Sequence, residues 1–333
     1  MRFRLFELIF VVIAGALQAY ADAAFLLEEP YGRFGSLNPT GHAAIYLSNV
    51  CAASPTRLRR CEPGEAGAVI SRYHRIAGYD WIAIPLVPYL YAVETVDQIP
   101  KSVDEDSAAE LRDTYRREHL EALAPDDVSG GMPKGDWTQL VGSAFDRTIY
   151  GFQIETTPEQ DDALIAYLNE GDNRTRFSLL SSNCADFTRV VLNFYVPHAV
   201  HRNFFADAGI MTPKQVARTL VHYARRHPLL ELSSFKIPQV AGSIHRSTHV
   251  DGVAEALVKS KKYVVPLAIL SPAITGSIAA VYFVEGRFNP KHDASLFNIS
   301  RAFQAQSQRA AQTSGLQKRD AKSPSDNAKA PDR

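Results

Sequence analysis

The residues that decide the fold are RFSLLSSNCADFTRVVLNF, Arg176 to Phe194. They read as a short buried strand (Phe177–Leu180), a polar turn (Ser181, Ser182, Asn183) and a helix opening at Cys184. Phe187, Val190, Val191 and Phe194 fall at i, i+3, i+4 and i+7, one apolar helical face. Ser182 or Asn183 is placed to cap it. A cysteine in the first turn of a helix meets unpaired peptide N–H groups and the positive end of the helix dipole. Both favour the thiolate, the form that attacks carbonyl carbon. Asp186 opposes this, unless its carboxylate turns aside to the N-terminal N–H groups. The competing reading of Cys184 is a small buried hydrophobe.

The start of the chain bears on that choice. Arg2 and Arg4 supply positive charge, and Leu8–Leu17 is an unbroken run of apolar and small residues. Ala19/Ala21 and Ala21/Ala23 offer small-x-small cleavage sites. This is the pattern of a secretory signal peptide over residues 1–23, with an uncleaved anchor as the alternative. Export would place the protein facing the cell envelope or periplasm. Cys51 and Cys61 then bracket a short loop and are natural disulfide partners in an oxidising compartment. Cys184 is the third of three cysteines and is left over. An unpaired thiol in an exported protein calls for a use, which favours the nucleophile.

The bulk properties exclude little else. The 333 residues suffice for one or two domains. Lys+Arg and Asp+Glu are equal at 36 each, so net charge gives no pointer to nucleic acid. Oligomeric state is not readable.

Along the chain, residues 24–40 read as loop. A buried strand begins at His42, straight after Gly41, and runs through GHAAIYL to Leu47. Further strands are expected over 66–73, 81–84 and 149–156. Residues 86–106 look irregular. Ser107 to Glu110 resembles a capping box opening a charged surface helix to about Leu123. Thr157 with Pro158 and Gln160 caps a helix ending at Gly171, and Thr212–Pro213 opens another that ends near His227. Residues 229–262 read as a linker or accessory segment. Tyr263–Val284 carries no charged residue, the length of a single transmembrane helix. The polar tail, 288–333, reads as disordered.

A cysteine nucleophile needs a base, usually histidine. Of ten histidines, His42 is the most pointed, because a buried strand position rarely holds an unpartnered imidazole. There is no His-Glu-x-x-His and no Cys-x-x-Cys, so no metal site and no cofactor is expected.

Gly41-His42 at a strand start, followed far downstream by LLSSNCADF (Leu179–Phe187), resembles the circularly permuted branch of the NlpC/P60 papain-like superfamily. Lecithin:retinol acyltransferase-like proteins and several bacterial envelope families belong there. The resemblance covers about residues 31–225, with an insertion at about 86–148. It implies an α+β domain over 24–228, with an antiparallel sheet packed on the Cys184 helix. It also implies Cys184 as nucleophile, His42 as general base and a third polar residue on the strand after the histidine strand. His74 is the candidate, with Ser71 and Asp80 as rivals. The Cys184 N–H would serve as oxyanion donor, and Asn183 would hold the turn or add a donor. The activity implied is that of a thiol hydrolase or acyltransferase acting on a peptide or lipid of the cell envelope. The alternative is a catalytically silent membrane-anchored binding domain on the same fold.

Overall fold

The structure is a computed structural model that describes residues 21–32, 39–74, 76–204, 207, 209–285, 288–290 and 294–299. Among the described residues the strands are, in chain order, β1 (Ala21–Glu28), β2 (His42–Leu47), β3 (Val50–Ser54), β4 (Arg57–Arg60), β5 (Ala68–Ser71), β6 (Ile82–Pro85), β7 (Ser102–Val103), β8 (Ile149–Thr156), β9 (Ser233–Ile237), β10 (Ala241–Gly242) and β11 (Ser295–Leu296). Seven of them form one sheet in the order β11-β9-β8-β1-β2-β5-β6. Its pairs are antiparallel except β9–β11.

Both faces of this sheet are covered. Alternate residues of a strand point to opposite faces. Phe25, Leu27, Ala43 and Ile45 meet Leu164, Phe187, Val191 and Leu220. These come from three helices, Pro158–Glu170, Cys184–Tyr195 and Pro213–Arg226. Ala24, Leu26, Ala44 and Tyr46 meet Tyr89, Ala108, Ala144 and Phe145 on the other side. In chain order the helices are α1 (Leu86–Tyr91), α2 (Glu105–Tyr115), α3 (Ser143–Asp146), α4 (Pro158–Glu170), α5 (Cys184–Tyr195), α6 (Pro213–Arg226), α7 (Val253–Lys259), α8 (Lys261–Leu270) and α9 (Pro272–Glu285).

The local signals that hold are caps. Thr157 and Gln160 form the capping box of α4, and Thr212 accepts from the Gln215 N–H at the start of α6. Strands β2 and β8 lie where the sequence places them. Cys51 and Cys61 are joined as a disulfide with Cα atoms 4.9 Å apart, across the β3–β4 hairpin.

Several expectations are corrected. The transmembrane helix over 263–284 is not present: the segment is two helices, α8 and α9, parted at Ser271. Pro272 accounts for the break, since it pushes the residue before it to an extended backbone, and Ser271 has φ −151° and ψ 82°. No helix among the described residues is long and apolar enough to cross a membrane.

Residues 24–40, read as loop, contain β1, the strand between β2 and β8. It begins at Ala21, two residues before the expected end of the leader at residue 23; residues 1–20 lie outside the described residues. Phe177–Leu180 forms no buried strand. A single bridge joins Ser178 to Ser182, and Leu179 and Leu180 are 58% and 64% exposed.

The segment 86–148 is not a surface appendage but the layer covering the second face. Helix α2 starts at Glu105, capped by Asp104 rather than at Ser107. Its continuation buries Arg116 completely, bonded to Asp113 (2.7 Å), Asp126 (2.6 Å) and the Ala124 carbonyl (2.7 Å). Residues 229–262, expected as a linker or accessory segment, supply β9 to the main sheet. Ser295–Leu296, within the tail expected to be disordered, pairs with β9; 300–333 lie outside the described residues.

Candidate functional site

The site forms where β2 and β5 stop pairing. Their ladder starts at Ile45–Ile70, which leaves the Ala43 peptide groups free of strand partners on that side. Gly41 lets the chain enter there. Its φ of +72° belongs to the left-handed region, and a Cβ at this position would run into the Glu28 carbonyl oxygen. His42 follows and is buried at 9% exposure.

The imidazole is held from two sides. Tyr73 stacks on it with ring centroids 5.0 Å apart. Ser71 Oγ lies 2.9 Å from His42 Nε2 and 2.6 Å from the Ala43 carbonyl oxygen. The carbonyl only accepts, so the one serine hydrogen goes to it, and Nε2–H must donate to Ser71 Oγ. The neutral imidazole then carries its lone pair on Nδ1, the nitrogen free to act as base.

Cys184 opens α5 and is half-buried. The backbone N–H groups of Ala43, Ala185 and Cys184 itself act on the thiol and favour its ionised form. Those N–H groups pull the thiol pKa down, but desolvation outweighs them and the Glu28 charge opposes them: the thiol is pushed up to about 11. Burial, helped by the Arg147 cation, drives His42 down to about 3. Burial thus favours the neutral form of the thiol and of the imidazole alike. The helix start favours the thiolate, as the sequence suggests, but burial is the larger effect.

The turn before Cys184 is tied down by polar contacts. Asn183 caps α5: its Oδ1 accepts from the Asp186 N–H at 3.0 Å, and the Asp186 carboxylate accepts from the Asn183 N–H at 3.3 Å. Both roles expected of Asn183 meet the same geometry. Its amide donates to the Leu179 carbonyl (2.9 Å) and the Met211 carbonyl (3.0 Å), which serves the turn and occupies its donors. Asp186 also takes an ion pair from Arg202 at 2.5 Å. The buried stripe of α5 is Ala185, Phe187, Thr188, Val191, Leu192 and Tyr195; Val190 is exposed, so the inward face is rotated from the one expected.

The structure does not bring His74 to His42. His74 is exposed, 3.2 Å from Asp136, with its ring edge-on to Phe177. Ser71 is the group bonded to His42. Asp80 pairs with Arg72 at 2.6 Å, and Arg72 in turn donates to Ser182 Oγ at 3.0 Å. Four residues near the site went unread in the sequence: Glu28, Tyr73, Tyr89 and Arg147. The sequence signal was a charge at the end of an apolar run, Glu28 after AAFLL; Arg147, preceded by Asp146 in SAFDR, offered none. Away from this site, Glu94, Glu118 and His119 lie close enough to share a cation, on exposed surface.

No protein-family model matches the chain, and no curated protein matches it. Among solved structures, one titled as a type VI secretion system effector, TseH, aligns at 12% identity over 65% of this chain and 93% of that one. Its TM-score is 0.29, a likeness that carries no argument about fold or function.

Proposed function

We propose that this chain is an exported thiol hydrolase or acyltransferase acting on an amide or ester of a cell-envelope peptide or lipid. The observation that carries the reading is the placement of the leftover thiol. The Ala43 N–H acts on the Cys184 thiol, and Ala43 follows a histidine whose Nε2 is engaged by Ser71. His42 Nδ1 takes the thiol proton as sulfur attacks the carbonyl carbon. The tetrahedral intermediate collapses and expels the amine or alcohol, which leaves with that proton. The acyl-thioester is then attacked by water or a second acceptor. Its proton passes to Nδ1, and the departing sulfur recovers it. The Cys51–Cys61 disulfide supports an oxidising compartment.

The second reading is a silent binding domain, favoured by a thiol held up to about 11. One measurement separates them: mass spectrometry of the protein treated with a thiol-directed acyl probe. Cys184→Ala abolishes labelling under the first reading, and Cys51→Ala does not. Equal labelling of Cys184→Ala and wild type would sink the nucleophile assignment.

A further inference from the structure

We propose that the buried Glu28–Arg147 ion pair is a positioning device for His42, setting the charge that the imidazole carries beside the Cys184 thiol. The proposal rests on the thiol–imidazole reading above. The β1–β2 register puts Glu28 directly opposite His42. Side chains at such positions share a face, with Cβ atoms about 4.5–5.5 Å apart. Glu28 is 0% and Arg147 3% exposed, and Arg147 Nη1 reaches Glu28 Oε2 at 3.0 Å. The Tyr89 hydroxyl donates to the same carboxylate, and Ser143 Oγ lies 3.2 Å from it. The Tyr31 ring lies 4.4 Å from the guanidinium carbon. Tyr73 stacks on His42 on the same side as this network, with ring centroids 5.0 Å apart.

Stability is a poor account of the pair. A fully buried ion pair commonly gains little over apolar packing. Arg147 Nε is moreover buried with no hydrogen-bond acceptor among the described residues. The cost is kept at the one place where a charge faces His42.

The groups around His42 are Glu28 on β1, Ser71 on β5 with Tyr73 beyond it, Arg147 after α3 and Cys184 on α5. Tyr89 on α1, Asp146 on α3 and Tyr31 surround the pair itself. The Arg147 cation opposes the imidazolium, and the Glu28 anion opposes the thiolate while offsetting Arg147. The two charges therefore act with predictable and different signs. Without the Glu28 charge the thiolate forms more easily and the imidazolium less easily. Without the Arg147 charge the imidazolium forms more easily.

The test uses the full chain with its disulfide intact. His42 is titrated by NMR of the imidazole nitrogens, and Cys184 by its iodoacetamide alkylation rate against pH. In the wild type, His42 remains neutral down to about pH 5. Glu28→Gln moves the alkylation midpoint down by about one pH unit, and Arg147→Gln moves the His42 titration up by about one unit. Arg147→Lys restores the wild-type profile. A scaffold role would damage both variants alike, so shifts of matching sign, or none, overturn the proposal. Where a charge variant does not fold, Tyr89→Phe replaces it, since it removes a hydroxyl bonded to Glu28. It is expected to shift the alkylation midpoint as Glu28→Gln does, by less, and no shift overturns the proposal. A wild-type His42 titrating near its ordinary 6.5 does so with no variant at all. The parent reading is tested separately. If His42→Ala leaves the Cys184 profile unchanged, the thiol–imidazole pair fails, whatever the NMR shifts say about Glu28 and Arg147.

Discussion

The two faces of the central sheet are built differently. The face carrying Cys184 is covered by α4, α5 and α6, each opened by a capping side chain: Thr157, Asn183 and Thr212. The other face is covered by α1, α2 and α3, and its polar contacts span long sequence distances, such as Glu28 with Arg147 and Arg112 with Asp146. On the second face only α2 of these three helices has a side-chain cap, Asp104, while its buried charges are matched by tertiary pairs. The candidate site lies at their seam, with the thiol from one side and Tyr73, stacked on His42, from the other. The cysteine can therefore be read from its local motif, while the charged groups that act on its thiol come from elsewhere in the chain.

The comparison is broken or sharpened by a graded set of measurements. The largest effect is on chemistry. His42→Ala is expected to slow acylation of Cys184 by an activated ester about 10²–10⁴-fold at neutral pH. A change of less than a few-fold would leave the seam without chemical meaning.

Next come the cores. Phe145→Ala on the second face should cost about 3–5 kcal/mol, and Leu192→Ala on the first about 2–5 kcal/mol, since both side chains are fully buried. Both variants should unfold in a single denaturant transition, because one sheet serves both layers. Two separate transitions would mean the layers are independent.

The pH dependence has a different sign on each face. His42, held down to about 3 against an ordinary 6.5, stays neutral when the unfolded chain protonates. Stability is therefore full above 6.5 and falls toward 3, by roughly 1 kcal/mol per pH unit. Cys184, pushed up to about 11 from 9.0, stays protonated while the unfolded thiol ionises, so stability falls as pH rises from 9 to 11. His42→Gln should flatten the acid limb alone, and Cys184→Ala the alkaline limb alone, in thermal melts against pH. The smallest effect is local: Asn183→Ala removes the α5 cap at about 0.5–2 kcal/mol.

How far the sequence was readable follows the same division. Capping boxes are short-range chemistry, so α4 and α6 appear at their observed starts. The His42 strand and the Cys51–Cys61 pair were legible for the same reason. Strand β1 was not: covered on both faces, AAFLL lacks the alternation that marks a half-buried strand and merges with the apolar leader. Glu28 and Arg147 were unreadable as partners, because an isolated charge looks solvated until strand register places it. His74 was favoured by sequence proximity to β5, yet it lies past the strand end on the surface. The apolar run over 263–284 has membrane length, but Pro272 splits it.

Strand β1 also dictates an order of assembly. One of its edges can zip to β2 soon after both leave the ribosome. The other edge belongs to β8, about 120 residues further along the chain. Until that partner arrives, a row of unpaired amides and carbonyls flanked by Phe25, Leu26 and Leu27 stays open, the kind of edge on which nascent chains aggregate. Closing a loop of that length makes β1–β8 pairing a slow event. Glu28 ends β1, so its pairing with Arg147 waits on the same closure.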